Sequence, residues 1–162
     1  MARPTDRLTK PRKKRRDSRL VDGVAFRMLQ AANLTVRPFP SALGRPFRLT
    51  LASWRCMMAL AAHPDACGDD IARTTGLDKM SVSRGLRALQ RQGRAHRATD
   101  PAGAHRSQWE LSDAGWALFD ELAPRALARE RHILGLLDAG ARTALKAGLD
   151  RVVEQLLSDD DT

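Results

Sequence analysis

The chain has 162 residues, 43% of them hydrophobic, and a formal net charge of +9 from 28 Lys/Arg against 19 Asp/Glu. That length allows one domain with a real core, or a small domain plus dimerisation helices. Two Cys rule out a disulfide framework, the lack of any 18-residue apolar run rules out a membrane span, and 4% aromatics with no Tyr argue against a reader that stacks single-stranded bases.

The first 19 residues hold nine Lys/Arg and two Asp, with no hydrophobic periodicity, so they read as a disordered basic arm. Charge without an apolar stretch behind it is not a secretory signal, and the expected setting is a soluble, cytoplasmic one. A helix is predicted over 19–34, with Leu20, Val24, Met28, Ala31 and Ala32 on one stripe. Three Pro and a Gly in 35–47 predict a break. An apolar helix follows over 49–63, with Thr50 as its cap and Pro64 as its stop. A short helix spans 68–76, with two Asp in its first turn and Gly76 at its end.

The stretch "DKMSVSRGLRALQRQG" (78–93) predicts another helix, capped by Asp78 and ended by Gly93. Val82, Leu86 and Leu89 form its apolar side. Met80, Arg84, Arg87 and Arg91 share the opposite side, and no acidic residue occurs between Asp78 and Asp100. A helix that is only solvated mixes its signs to gain i,i+4 pairs; this one does not. Residues 94–112 read as a β-hairpin around the turn "DPAG", with Trp109 and Leu111 alternating on its second strand. A long helix over 112–137 opens at Ser112, with Pro124 implying a kink or break. The last helix, 141–157, carries Leu145, Leu149, Val152, Val153 and Leu156 along one side, and the acidic tail 158–162 is expected to fray.

Charge is unevenly placed: +7 over 1–19, +1 over 20–70, +6 over 71–106 and −5 over 107–162. Two basic foci point to a polyanion. Ala72, Gly76 and Val82 supply the frame of a helix-turn-helix: a small residue at the crossing, a Gly for the left-handed turn and an apolar anchor. The second helix would then enter the DNA major groove with Lys79, Met80, Ser81, Ser83, Arg84 and Arg87 toward the bases and phosphates. With the hairpin behind it, the arrangement is a winged helix.

At these residues the chain resembles the MarR family of bacterial transcriptional regulators, over about 20–157. The resemblance lies in "LTLASWRC", in Ile71-Ala72, Gly76-Leu77, Val82-Ser83, Leu86, Leu89 and Gly93 at their spacings, and in "LSDAG" leaving the hairpin. It implies a mainly α fold with a small β-wing. Residues 20–44 and 113–157 would be the dimerisation helices, and 45–112 the winged helix-turn-helix. It further implies a homodimeric repressor that binds double-stranded DNA at a pseudo-palindromic operator and is relieved by a small-molecule ligand.

The wing departs from the family pattern. The family's Asp-x-Arg would fall on Gly103 and His105, with Arg106 one residue later. The minor-groove role is carried to Arg106, or alternatively to His105. Arg97 matches a family Arg that steadies the wing, here with Asp100 as its candidate partner.

Cys56, His63 and Cys67 lack a local fourth ligand, so no metal is expected. Peroxide-sensing members place a reactive Cys near the first helix, with Tyr partners; this chain has neither. No phosphate loop, nucleophile elbow or Ser/His/Asp set suggests an enzyme, and no cofactor is expected. Two rival readings remain open here: a non-specific architectural DNA binder, and a winged helix used as a protein-interaction module.

Overall fold

The computed structural model describes residues 19–98 and 108–160. Two compact units divide at Arg37 and Pro38. The first holds α1 (Arg19–Asp22) and α2 (Val24–Val36). The predicted single helix is thus interrupted at Gly23, whose backbone is extended; glycine gains least from being helical. No side chain of α2 is buried, and Val24, Leu29 and Leu34 all lie in the open.

The second unit begins with a π-helical turn (Pro40–Gly44) and α3 (Arg45–Phe47). The predicted break of the preceding helix falls at Arg37 and Pro38, but most of the rest of 35–47 is helical. Pro40 and Pro46 both fall in first turns, where a missing N–H costs nothing. Arg48, in the left-handed region at φ 54°, ends α3. α4 (Leu51–Ala62) starts as predicted, with the Thr50 hydroxyl accepting from the Ser53 amide at 3.0 Å.

β1 (Ala66–Cys67), absent from the elements expected of the sequence, leads into α5 (Gly68–Thr75), and α6 (Lys79–Arg91) follows. β2 (Ala95–Arg97) and β3 (Gln108–Leu111) are the two wing strands. The sheet is antiparallel with order β1-β3-β2, pairing Ala66 with Trp109 and Ala95 with Leu111. α7 (Asp113–Leu134) begins at Ser112, whose hydroxyl accepts from the Gly115 amide. Of the predicted kink or break at Pro124 the break does not occur: the helix runs on through it, with Leu122 and Ala126 packed into the core on either side of the proline. α8 runs Ala139–Asp160, so the first residues of the predicted frayed tail are helical.

One core holds this unit together. Met57 and Leu60 of α4, Ile71 of α5, Val82, Leu86 and Leu89 of α6, Trp109 of β3 and Leu122 of α7 are all buried in it. Trp54 stacks on Phe119 at 6.0 Å between centroids, as a core ring should, whereas Trp116 meets Phe119 edge-on and stays 37% exposed. Gly85 lets α6 approach α4 closely: a methyl group there would sit 2.9 Å from Cys56 Sγ and 3.1 Å from the Ala52 carbonyl. The result is a helix α6 locked on its inner side and bare on its outer side.

Candidate nucleic-acid interface

The turn between α5 and α6 is built as its residues require. Gly76 takes φ 64°, and its amide donates to the Ala72 carbonyl at 2.8 Å, closing α5. Val82 is buried at 2% exposure and anchors α6. Asp78 caps α6 twice, accepting from the Ser81 amide at 2.8 Å and the Ser81 hydroxyl at 2.6 Å. Those bonds hold the Asp78 carboxyl below its ordinary value.

The outer face of α6 carries the predicted side chains. Lys79, Met80, Arg84 and Arg87 are exposed; Ser81 and Ser83 are half-buried. Three of them are already engaged. Lys79 Nζ lies 2.9 Å from Asp69 Oδ1, an exposed pair of small energetic worth. The Ser81 hydroxyl is given to Asp78, and Arg84 Nε donates to the Met80 carbonyl at 3.3 Å. Arg97 is exposed, and its guanidinium lies 5.5 Å from the Trp109 ring centroid. The ring, paired across the strands with Arg97, is the partner the structure gives it; Asp100, His105 and Arg106 lie outside the described residues.

Between α6 and the wing runs a cleft of about 380 Å³. Val82, Leu86 and Trp109 contribute apolar wall to it, and Asp69, Lys79, Ser83, Arg87, Gln90 and Arg97 contribute polar groups, Asp69 being the partner of Lys79. Lys79, Ser83, Arg87 and Arg97 are predicted contacts, gathered here. Gln90 is not among the contacts predicted from sequence. It is three residues past Arg87 and seven past Ser83, so helical spacing could have found it. Behind the wing, Glu110 faces Asp65, and their hydrogen bond pushes the Glu110 carboxyl up; His96 Nε2 is 3.6 Å from Glu110 Oε2.

A second basic feature has no counterpart in the sequence pattern. Phe39, Gly44, Arg45, Arg48 and Leu49 line a pocket of about 360 Å³. Arg94 braces the same segment of chain, donating to the Phe47 carbonyl at 2.8 Å and to Gln92 Oε1 at 2.7 Å. Burial, then the neighbouring Arg48, pulls the Arg94 guanidinium below its usual range.

Cys56 is buried, its pKa pushed up to about 11 by desolvation, so it is protonated at neutral pH. Cys67 is buried at the start of α5. Among the described residues no group of three or more His, Cys, Asp or Glu is arranged to hold a metal ion, and no helix is long and apolar enough to cross a membrane.

By sequence, the chain matches no family model and no curated protein. By structure, it resembles a MarR/EmrR family transcriptional regulator from Acinetobacter sp. ADP1, with a TM-score of 0.78 at 20% identity, covering 85% of this chain and 98% of that one. The fold is that of the MarR-family regulators. A MarR-family regulator from Silicibacter pomeroyi is similar at TM-score 0.68 and 24% identity, over 86% of this chain and 96% of that one. So is BpsR of Bordetella bronchiseptica, whose DNA binding is regulated by 6-hydroxynicotinic acid, at TM-score 0.70 and 22% identity, over 80% and 97%. In MarR-type terms, α5 and α6 are the helix-turn-helix and β2–β3 the wing.

Proposed function

We propose that this protein is a ligand-responsive, sequence-specific DNA-binding transcriptional regulator of the MarR type, acting as a homodimeric repressor. The observation that carries the reading is the outer face of α6. Met80, Arg84 and Arg87 are exposed there with no acidic residue on the helix, beside a cleft rimmed by Arg97. Such a helix fits the major groove, where Arg reads guanine bidentately and Lys and Ser serve phosphates and base edges. In this reading Lys79, Ser81, Ser83 and Arg97 position the backbone, and Arg106 or His105 reaches the minor groove.

Dimerisation is supported by unpartnered apolar faces. On α8, Leu145, Leu149, Val152, Val153 and Leu156 are 37–58% exposed. On α2, Leu29 and Leu34 are more than half exposed. A pairing of these helices across a twofold would bury roughly 2,000 Å² or more, and would set half-sites roughly 10 base pairs apart. For the ligand, the Arg45–Arg48 pocket has mainly apolar walls with two Arg among its lining residues, a composition that suits a small organic anion. BpsR, of the same fold, responds to a molecule of that kind.

Selection of duplexes from random DNA by the full-length protein tests this reading. One enriched pseudo-palindrome is the expected result. Binding without sequence enrichment would make the protein an architectural binder, and no DNA binding would favour an interaction module. Sedimentation showing a folded monomer at micromolar concentration would refute the dimer.

A further inference from the structure

Met80 stands out on the face just described. It is the second residue of α6, and at 100° per residue it lies within 40° of Arg84, Arg87 and Arg91 and opposite Leu89. It is 66% exposed. Among the described residues between 63 and 112 it is the one large apolar side chain left exposed. The core does not use it, and a single exposed Met makes no protein-docking patch. On a helix entering the major groove, the first residues meet base edges. The apolar group that groove offers is the 5-methyl of thymine, or of cytosine where it has been methylated.

We propose that Met80 reads a pyrimidine 5-methyl group in the operator, so that sequence choice by α6 is partly apolar. The inference rests on the DNA-binding reading above. Met is suited to such a contact, because its three rotatable bonds and polarizable sulfur let it settle against a methyl without a preformed pocket. Arg84, whose Nε donates to the Met80 carbonyl, sits on the adjacent turn of the same stripe and keeps the two contacts in one register.

The test uses the full-length protein and the duplex it selects from random DNA. Each thymine is replaced singly by deoxyuridine, which removes only the methyl. At one symmetric pair of positions the affinity should fall about fourfold per half-site, the worth of one buried methyl group. With Met80→Ala the thymine and deoxyuridine duplexes should bind equally; with Met80→Leu the preference should persist. Circular dichroism melting checks that both variants fold, as an exposed site allows. If deoxyuridine is neutral throughout but methylating one cytosine strengthens binding only when Met80 is present, the methyl read is that of 5-methylcytosine. Neither methyl mattering, or a thymine preference unchanged in Met80→Ala, overturns the proposal while leaving the DNA-binding reading intact. Selection that enriches no sequence removes both.

Discussion

Gly85→Ala probes the contact that seats α6. The new methyl would lie 2.9 Å from Cys56 Sγ and 3.1 Å from the Ala52 carbonyl carbon and oxygen. Non-bonded atoms of this kind are comfortable at about 3.5–4.0 Å, so α6 must retreat by roughly half an ångström or more. α4 cannot yield instead, because Trp54, Cys56 and Met57 are buried along the same helix. The helix propensity of Ala over Gly returns about 1 kcal/mol, against an overpacking cost of about 1–3 kcal/mol. A net loss of up to about 2 kcal/mol is expected, read by urea denaturation at one fixed protein concentration. Cys56→Ala removes the Sγ contact, so the double variant should recover at least about 0.5 kcal/mol relative to additivity. A displacement of that size is also the tolerance of a preorganised binding surface, so operator affinity should fall even where the protein stays folded. Strict additivity with Cys56→Ala, or unchanged operator affinity in Gly85→Ala, would mean that α4 and α6 have slack and that the close approach is not what positions the helix.

Arg84→Ala or Arg87→Ala should cost about 1–3 kcal/mol of operator affinity if the side chain reads a base, and a similar loss on random DNA would make it a phosphate contact, by titration on both duplexes. Asp78→Ala should lower the melting temperature at neutral pH by removing both Ser81 bonds. Because the folded-state carboxyl is held below its ordinary value, its contribution is complete above about pH 4 and disappears as pH falls through the lowered value, so the two proteins' melting temperatures should converge in acid. Deleting residues 1–16, which lie outside the described residues, removes eight of the nine cations of the arm. If the arm follows phosphates, the slope of log K against log salt becomes shallower by about 0.9 per contact, with the ratio of operator to random DNA unchanged; an unaltered slope refutes the role.

The sequence was most legible where one residue's chemistry decides a local conformation. Thr50, Asp78 and Ser112 cap their helices, and Gly76 takes the left-handed turn, because hydrogen-bonding reach and the missing Cβ act over three or four residues. The prolines in 35–47 end the first helix but leave only a two-residue break, since position within a turn matters more than number. β1 was hidden because two residues have no alternation to display; it exists through its pairing with Trp109 and Gln108, some forty residues away. The Trp109 ring beside Arg97 faces it across the sheet, a contact no sequence neighbourhood displays, while the expected Asp100 partner lies outside the described residues. The Arg45–Arg48 pocket is lined by one continuous stretch, 39–51, whose helical turns the break expected there concealed, and the Arg94 bond to the Phe47 carbonyl that braces this stretch spans 47 residues.

That bracing gives the proposed ligand a physical route to the proposed DNA face. Arg48 lines the pocket, and its carbonyl accepts from Gln92 Nε2 at 2.9 Å, at the residue that caps α6. Arg94, which precedes the first wing strand, holds both the Phe47 carbonyl and Gln92 Oε1. The pocket wall, the end of α6 and the root of the wing are therefore joined by three hydrogen bonds. An anion drawing Arg45 and Arg48 together would pull on the Arg48 carbonyl and shift the end of α6. Coupling along this route requires the ligand's affinity to differ between the free and DNA-bound states. Gln92→Ala tests it. Its side chain is exposed, so the fold and the pocket's guanidinium groups should survive. A small aromatic carboxylate that lowers operator affinity in the wild type should still bind the variant, by calorimetry, but release DNA several-fold less well. Equal release by both proteins would mean that the signal does not pass through Gln92, and would point instead to a direct effect of the ligand on the α6 face.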